Sequence, residues 1–255
     1  MAQISKRKNN FEMKLPIMKV GFGVLGLFLT LIIACSEQEQ VAPDLGADYF
    51  PLQVGNYSIY EVEETTLLPS TPVTNVSYEL KITVTDSIVN DKGEVTYIMV
   101  REKRINSTDG WENVETWSAT LVNNKVIQNE SNISFVKLIF PPSLNLSWDG
   151  NQYNNLPYNG GIESFYDGSD KPYSISALDQ PITLSTGFAA ENSLTVVQND
   201  YNDEITGIDE RKEVYARGVG LVYKEINQFI KCNGTICVGD RSFVFIQSLK
   251  AHGRI

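Results

Sequence analysis

Residues 77–89 read SYELKITVTDSIV, and their reading decides the fold. Tyr78, Leu80, Ile82 and Val84 alternate with Glu79, Lys81, Thr83 and Thr85. A period of two sends successive side chains to opposite faces, which is the pattern of a strand buried on one side. Asn90-Asp91-Lys92-Gly93 then supplies turn chemistry, and residues 94–105 return as a partner strand with Val95, Tyr97 and Met99 on one face. Asn106-Ser107-Thr108-Asp109-Gly110 turns again. Residues 111–120 and 121–128, broken at Asn123-Asn124, continue the meander, and the apolar strand 133–140 stops at Pro141-Pro142. Upstream, Pro51 and Gly55 turn the chain into a first strand that runs to Glu63. Downstream, strand signals resume at 182–184, 193–199 and 213–216, continue through Ile230, and end with 242–249. After residue 35 no stretch sustains a helical period. The pattern predicts an all-β fold: a single antiparallel meander forming a strongly curved sheet or an open (half) barrel.

Residues 143–181 differ in composition. Asn, Gly, Asp, Tyr and Pro dominate, which reads as a long loop or a set of small hairpins. Binding residues concentrate on loops held by a rigid scaffold, so this segment is where a ligand site is expected. Trp148, Tyr153, Tyr158 and Tyr166 are the candidates, because exposed aromatic faces stack on sugars while Asn and Asp bond hydroxyls. Trp148, in its polar setting, is the one expected to be exposed. The plainer reading makes these aromatics ordinary packing residues that close one end of a barrel.

The N-terminus speaks of location. Lys6, Arg7, Lys8, Lys14 and Lys19 precede the apolar run VGFGVLGLFLTLIIA at 20–34, which is short for a membrane span and has the layout of a secretory signal. Ile32-Ile33-Ala34-Cys35 resembles a bacterial lipobox. That resemblance implies acylation of Cys35 (palmitate among the chains) and removal of residues 1–34. Residues 35–47 then form the lipidated N-terminus and a polar tether, and residues 48–255 the β-sheet domain. Two or more acyl chains hold a protein stably on a bilayer, whereas one holds it marginally. Ser36 after the cysteine resembles outer-membrane sorting, and Glu37 and Glu39 loosely resemble the acidic export tag of surface lipoproteins in Bacteroidetes; periplasmic and surface orientations both stay open. A net charge of −10 argues against nucleic acid as a partner.

Two further stretches carry a resemblance. Tyr49-Phe50-Pro51-Leu52-Gln53-Val54-Gly55-Asn56 is similar to the YFPL-x-x-G-N opening of uncharacterised Bacteroidetes outer-membrane lipoproteins, with Ser58 where that group more often has Trp. Glu213-Val214-Tyr215-Ala216 with Gly218-Val219-Gly220-Leu221-Val222-Tyr223-Lys224-Glu225 resembles their E-V-Y-A-x-G-V-G-L-V-x-K-E pattern. These motifs identify a group and imply no activity.

Cysteine usage agrees with export. With Cys35 lipidated, Cys232 and Cys237 remain as a pair around Asn233-Gly234, a strong hairpin signal, and a disulfide across that turn is expected. Zinc lacks partners, since the one histidine is His252, in a charged tail with Lys250 and Arg254 that reads as solvated. Asx and Gly clusters at 149–151, 167–170 and 199–204 could offer oxygens to calcium, yet none has EF-hand spacing and turn formation explains them. No nucleophile–base pattern stands out, so no catalytic residue, metal or cofactor is expected.

The expected function is therefore a non-catalytic, outer-membrane-anchored lipoprotein acting as a binding or assembly module. It would touch the membrane through its lipid and have a glycan or an outer-membrane protein as partner. The alternatives are a glycan-binding accessory lipoprotein of a polysaccharide-uptake system, or a half-barrel carrier of a lipid or other hydrophobic ligand.

Overall fold

A computed structural model describes residues 44–67, 73–154, 158–159, 165–166, 171–236 and 242–255. Its strands are β1 (Asn56–Leu67), β2 (Thr74–Val89), β3 (Val95–Arg104), β4 (Glu112–Val122), β5 (Lys125–Glu130), β6 (Ile133–Ile139), β7 (Ser147–Trp148), β8 (Tyr158–Asn159), β9 (Phe165–Tyr166), β10 (Tyr173–Thr183), β11 (Ala189–Asp203), β12 (Gly207–Ala216), β13 (Gly220–Cys232), β14 (Thr235–Ile236) and β15 (Ser242–Arg254). Helix is confined, among the described residues, to a 3₁₀ turn at Ala47–Tyr49. The all-β antiparallel expectation holds.

Two meanders make the sheet. One runs β1 to β6 and the other β10 to β15, and antiparallel pairing of β1 with β15 joins them. The spatial order is β6-β5-β4-β3-β2-β1-β15-β13-β12-β11-β10-β7. Tight hairpins fold the first meander. Asn123 and Asn124, then Ser131 and Asn132, all take positive φ, as two-residue turns require if they are to match the strand twist. At the β2–β3 turn the Asn90 side-chain oxygen accepts from the N–H groups of Lys92 and Glu94.

Curling brings the two edges together. The Val136 N–H on β6 donates to the Gly150 carbonyl just past β7 at 2.8 Å, and the Trp148 indole donates to the Val136 carbonyl at 2.7 Å. The Asn154 amide adds a bond to the Ser134 carbonyl. An edge strand left open is a pairing hazard, and these bonds occupy it. The result is a nearly closed barrel.

Period two sorts many side chains as the sequence promised, with Glu79 and Thr83 on β2 as buried exceptions. On β1 Val62 is buried between exposed Glu61 and Glu63, and on β2 Leu80 and Val84 are buried while Thr85 is exposed. Three readings need correction. Trp148 is only 6% exposed, packed edge-on against Tyr173 with ring centroids 6.1 Å apart, so the exposed platform expected there does not exist. Its indole N–H needed an acceptor, and the β6 edge supplied one. The stretch taken as loop up to 181 contains the first part of β10, and Pro181 is accommodated where pairing with β11 slips between Gln180 and Ile182. Likewise, the charged tail is strand, the end of β15, although Lys250, His252 and Arg254 are exposed as expected: His252 pairs with Ser58 and its ring meets Phe188 edge-on at 5.9 Å.

Candidate functional site

An internal cavity is the candidate site, and three neighbouring strands build its floor. Glu213 on β12 pairs with Lys224 on β13, which pairs with Gln247 on β15, so one row of side chains crosses the sheet on its inner face. From the facing wall come Gln128 and Glu130 on β5 and Lys137 on β6. A bulge aims the lysine: Val126 pairs with Leu138 and Ile127 with Val136, which leaves Lys137 as the extra residue. Lys137, Glu130, Glu213, Lys224 and Gln247 are each at most 4% exposed.

Lys137 Nζ joins the two walls, donating to Glu213 at 2.5 Å and to Glu130 at 3.1 Å. Lys224 Nζ lies 3.7 Å from the Glu213 carboxylate and 3.8 Å from that of Glu130. The Tyr215 hydroxyl donates to Glu213 and the Gln128 amide to Glu130. Burial would push the Glu213 carboxyl up, but Lys137 and Lys224, with hydrogen bonds from Lys137 and Tyr215, outweigh it and hold the group below its ordinary 4.5. Burial would also pull Lys137 down, and the carboxylates of Glu130 and Glu213 reverse that and hold the ammonium above its ordinary 10.5. For Tyr215, burial and then the Glu213 charge push the hydroxyl well above 10.

Above this floor the barrel is open. The cavity measures about 320 Å³ and has Ile82, Val84, Met99 and Trp117 on one wall and Tyr60, Val219 and Leu221 on the other. Trp117 is fixed by its indole N–H, which donates to Glu115 at 2.6 Å, and by the Arg101 guanidinium 3.8 Å above its ring. Arg101 in turn pairs with Glu115 at 2.5 Å. Exposed lining residues Gly218, His252 and Arg254 mark the mouth.

A strap, residues 44–55, crosses the same end of the barrel. Tyr49 is fully buried and donates its hydroxyl to Asp179, while Phe50 packs on Tyr215 at 5.9 Å. Arg217 ties the strap down: Nη1 reaches Asp44 and Asp48, each at 2.9 Å, Nε reaches Asp179 at 3.2 Å, and the guanidinium lies 4.6 Å from the Tyr49 ring. Gly218 donates its N–H to the Asp48 carbonyl, and Gly220 lets Pro51 approach, since a Cβ there would sit 3.3 Å from Pro51 Cδ. Residues 49–56 and 213–225, far apart in sequence, thus meet at the cavity mouth.

The residues expected to bind are scattered by comparison. Trp148 lies in the closing seam, Tyr153 is half-exposed beyond it, and Tyr158 and Tyr166 pair in the small β8–β9 hairpin, with side chains outside the described residues. Trp111 lies against Lys81 and Arg104, at 4.8 and 4.3 Å from its ring. Asp149 and Asp203 spend carboxylate oxygens on their own turns, accepting from the N–H groups of Asn151 and of Ile205 and Thr206. Cys35 and Cys237 lie outside the described residues; Cys232 ends β13.

The floor residues escaped the sequence reading, although a signal was there. In Val222-x-Lys224-x-Ile226, Phe245-x-Gln247-x-Leu249, Met99-x-Arg101 and Val126-x-Gln128-x-Glu130, polar side chains occupy the apolar phase of their strand. Out-of-phase polar residues on several strands announce a polar interior.

No protein-family model matches the chain, and no curated protein matches it. Among solved structures, similarity is found to a Bacteroides fragilis protein with a YmcC-like fold, provisionally described as exported, and to a provisionally described lipoprotein of Parabacteroides distasonis. Each is 11% identical with a TM-score of 0.38, over 80% of this chain and 98% of the other. A match this loose says nothing about ligand or partner.

Proposed function

We propose that this chain is an exported, lipid-anchored protein of the outer membrane, and that its barrel is a non-catalytic binding module for a small amphipathic molecule. The single observation behind the binding role is the cavity. Its volume of about 320 Å³ falls within the range of small-molecule pockets, and apolar walls ending on a few fixed polar groups are how such pockets orient a ligand. The buried ionisable groups fit binding better than proton transfer. Glu213 is held low, while Lys137 and Tyr215 are held high, away from the neutral range where an acid–base group works best.

The anchor rests on the sequence: basic flank, apolar run and Ile32-Ile33-Ala34-Cys35 in that order. A Cys232–Cys237 bridge belongs to the same reading, because export brings the pair into an oxidising compartment. The glycan alternative has less behind it, since Trp117 and Trp148 are buried and Trp111 lies against two cations. A carrier of a hydrophobic ligand keeps its support from the cavity.

The neutral nine-carbon ketone nonan-2-one, titrated calorimetrically into the chain lacking residues 1–34, tests the binding role. Saturable one-site binding that disappears in Met99→Trp, where the added ring occupies the cavity, is the expected result. No saturable heat from the parent protein would end the reading. For the anchor, Cys35→Ala should release the protein from membranes and abolish incorporation of labelled palmitate; equal labelling of both forms refutes it.

A further inference from the structure

Gln247 is the residue on the cavity floor with an unmet demand. It is 2% exposed, lines the cavity, and among the described residues no atom accepts from its Nε2. A buried amide donor is costly to leave unmatched, and nearly all such groups in folded proteins have a partner. What Gln247 calls for is an oxygen lone pair delivered from the cavity.

The surrounding charge decides which oxygen. Lys137 and Lys224 stand against Glu130 and Glu213, so the floor is formally neutral, and the nearby Arg101 is matched by Glu115. A carboxylate would bring an uncompensated negative charge into a desolvated site, and an ammonium would bring a positive one and give Gln247 no acceptor. A neutral carbonyl does neither: it accepts without donating and leaves the balance intact. Above it, Ile82, Val84, Met99 and Trp117 offer a wall that suits a hydrocarbon chain. At about 30 Å³ per water-sized group, the cavity has room for on the order of ten such groups.

We infer that the cavity takes a neutral, single-chain amphiphile of medium length, a ketone or ester, whose carbonyl oxygen accepts from Gln247 Nε2 while its chain lies along Ile82, Val84, Met99 and Trp117. The inference rests on the binding role proposed above and adds the head-group chemistry to it. It also separates this site from one for fatty-acid anions, which would place a cation without a counter-charge at the floor.

Three probes of similar length test it on the chain lacking residues 1–34: nonan-2-one, octanoate and octylammonium. The ketone should bind at least about tenfold more tightly than either ion, the ratio that one well-made interaction gives. Gln247→Leu should weaken ketone binding by about tenfold and leave the ions unchanged. Gln247→Met, which also removes the unmatched donor at similar volume, should do the same, and equal melting temperatures certify the fold of both. Octanoate binding as tightly as the ketone, or ketone affinity unchanged in both variants, overturns the inference while the binding role stands. Failure of all three probes to bind removes the binding role and this inference together.

Discussion

The barrel fills one side of its interior and leaves the other open. At the seam, Tyr49, Val136, Leu138, Trp148 and Tyr173 pack together into an apolar cluster, and the tryptophan indole also satisfies the β6 edge. Toward β1–β4 the same barrel keeps a cavity, with two lysines and two glutamates buried beneath it. The two arrangements hold structure by different means. Apolar burial contributes roughly 25 cal/mol for each Å² removed from water, with no geometric demand beyond fit. A buried ion network must first offset the desolvation of every charge, and well-packed apolar residues in its place are often no less stable. Stability alone would have filled the cavity. The charged floor therefore points to use rather than to holding the barrel shut.

The largest effects should come from breaking the floor unevenly. Lys137→Met strands Glu130 and Glu213, and about 3–5 kcal/mol of stability should be lost, read from urea unfolding. Adding Glu213→Leu removes one of the stranded carboxylates and leaves Glu130 with Lys224, so the double variant should recover much of that loss. Equal destabilisation by the single and double variants would mean that the network acts through packing and not through charge.

A loss of similar size is expected at the seam, for a different reason. Trp148→Ala removes a buried ring and the donor to the Val136 carbonyl, and large aromatic truncations in cores cost about 3–5 kcal/mol. For a chain of this size that is a fall in Tm of roughly 6–20 °C. No second substitution at the floor should rescue it, which is the contrast with Lys137. A shift below about 0.5 kcal/mol would show that the ring is dispensable and that the seam is closed by backbone bonds alone.

The fold was legible and the floor was not, and the reason lies in what a period of two reports. Tyr78, Leu80, Ile82 and Val84 announce an inward face because burial selects apolar side chains there, and β2 keeps Leu80 and Val84 buried, although Glu79 and Thr83 on the opposite phase are covered as well. Lengths were underestimated wherever the partner strand, rather than the side chains, holds the residue. His252 is strand because β1 offers it a register position, and Tyr173–Leu178 is strand because β11 and β7 flank it. Trp148 was misplaced because its neighbours Asp149, Gly150 and Asn151 are polar, yet they make the turn that swings the indole back onto β6. Lys224 and Gln247 are each a single polar residue in an otherwise apolar phase. Only the cross-strand register from β12 through β13 to β15 reveals that they stand in one row with Glu213.

A smaller effect, measured by pH, separates charge from packing at the floor. The folded Glu213 pKa lies below 4.5, so its contribution is present above that pH and is lost as pH falls through the folded value. Lys137 is held above 10.5, so its contribution is complete below that pH and fades as pH rises through the folded value. Between those limits neither group changes charge, and their contribution should be level from about pH 6 to 9. In Lys137→Met the sign for Glu213 should reverse. Burial, less opposed, raises the carboxyl above its unfolded value, so acidification from pH 7 to 5 should stabilise the variant while leaving the parent unchanged, by about 1.4 kcal/mol per pKa unit gained. Parallel stability curves for parent and variant over that range would show that Lys137 does not govern the Glu213 charge.

The smallest change in global stability should come from the strap, and it asks whether the mouth is a unit separate from the barrel. Arg217 pairs with three carboxylates, yet its side chain is 26% exposed and its partners Asp44, Asp48 and Asp179 are 47–69% exposed. Solvent screens such pairs, and each is worth at most about 1 kcal/mol. Arg217→Ala should therefore leave the unfolding midpoint almost unmoved. Locally the outcome should differ, because Arg217 holds Asp44 and Asp48 at the front of the strap and Asp179 behind Tyr49, which in turn seats Phe50 against Tyr215. Hydrogen exchange should accelerate at the Gly218 N–H, bonded to the Asp48 carbonyl, and at the Phe50 N–H, bonded to the Ala47 carbonyl. The Val136 N–H at the seam, bonded to the Gly150 carbonyl, should keep the parent rate. That split would make the strap a locally opening cover over the cavity mouth. Uniform acceleration at all three amides, with a global loss above about 2 kcal/mol, would instead make the strap part of the core, held by Tyr49 and Phe50 rather than by the arginine.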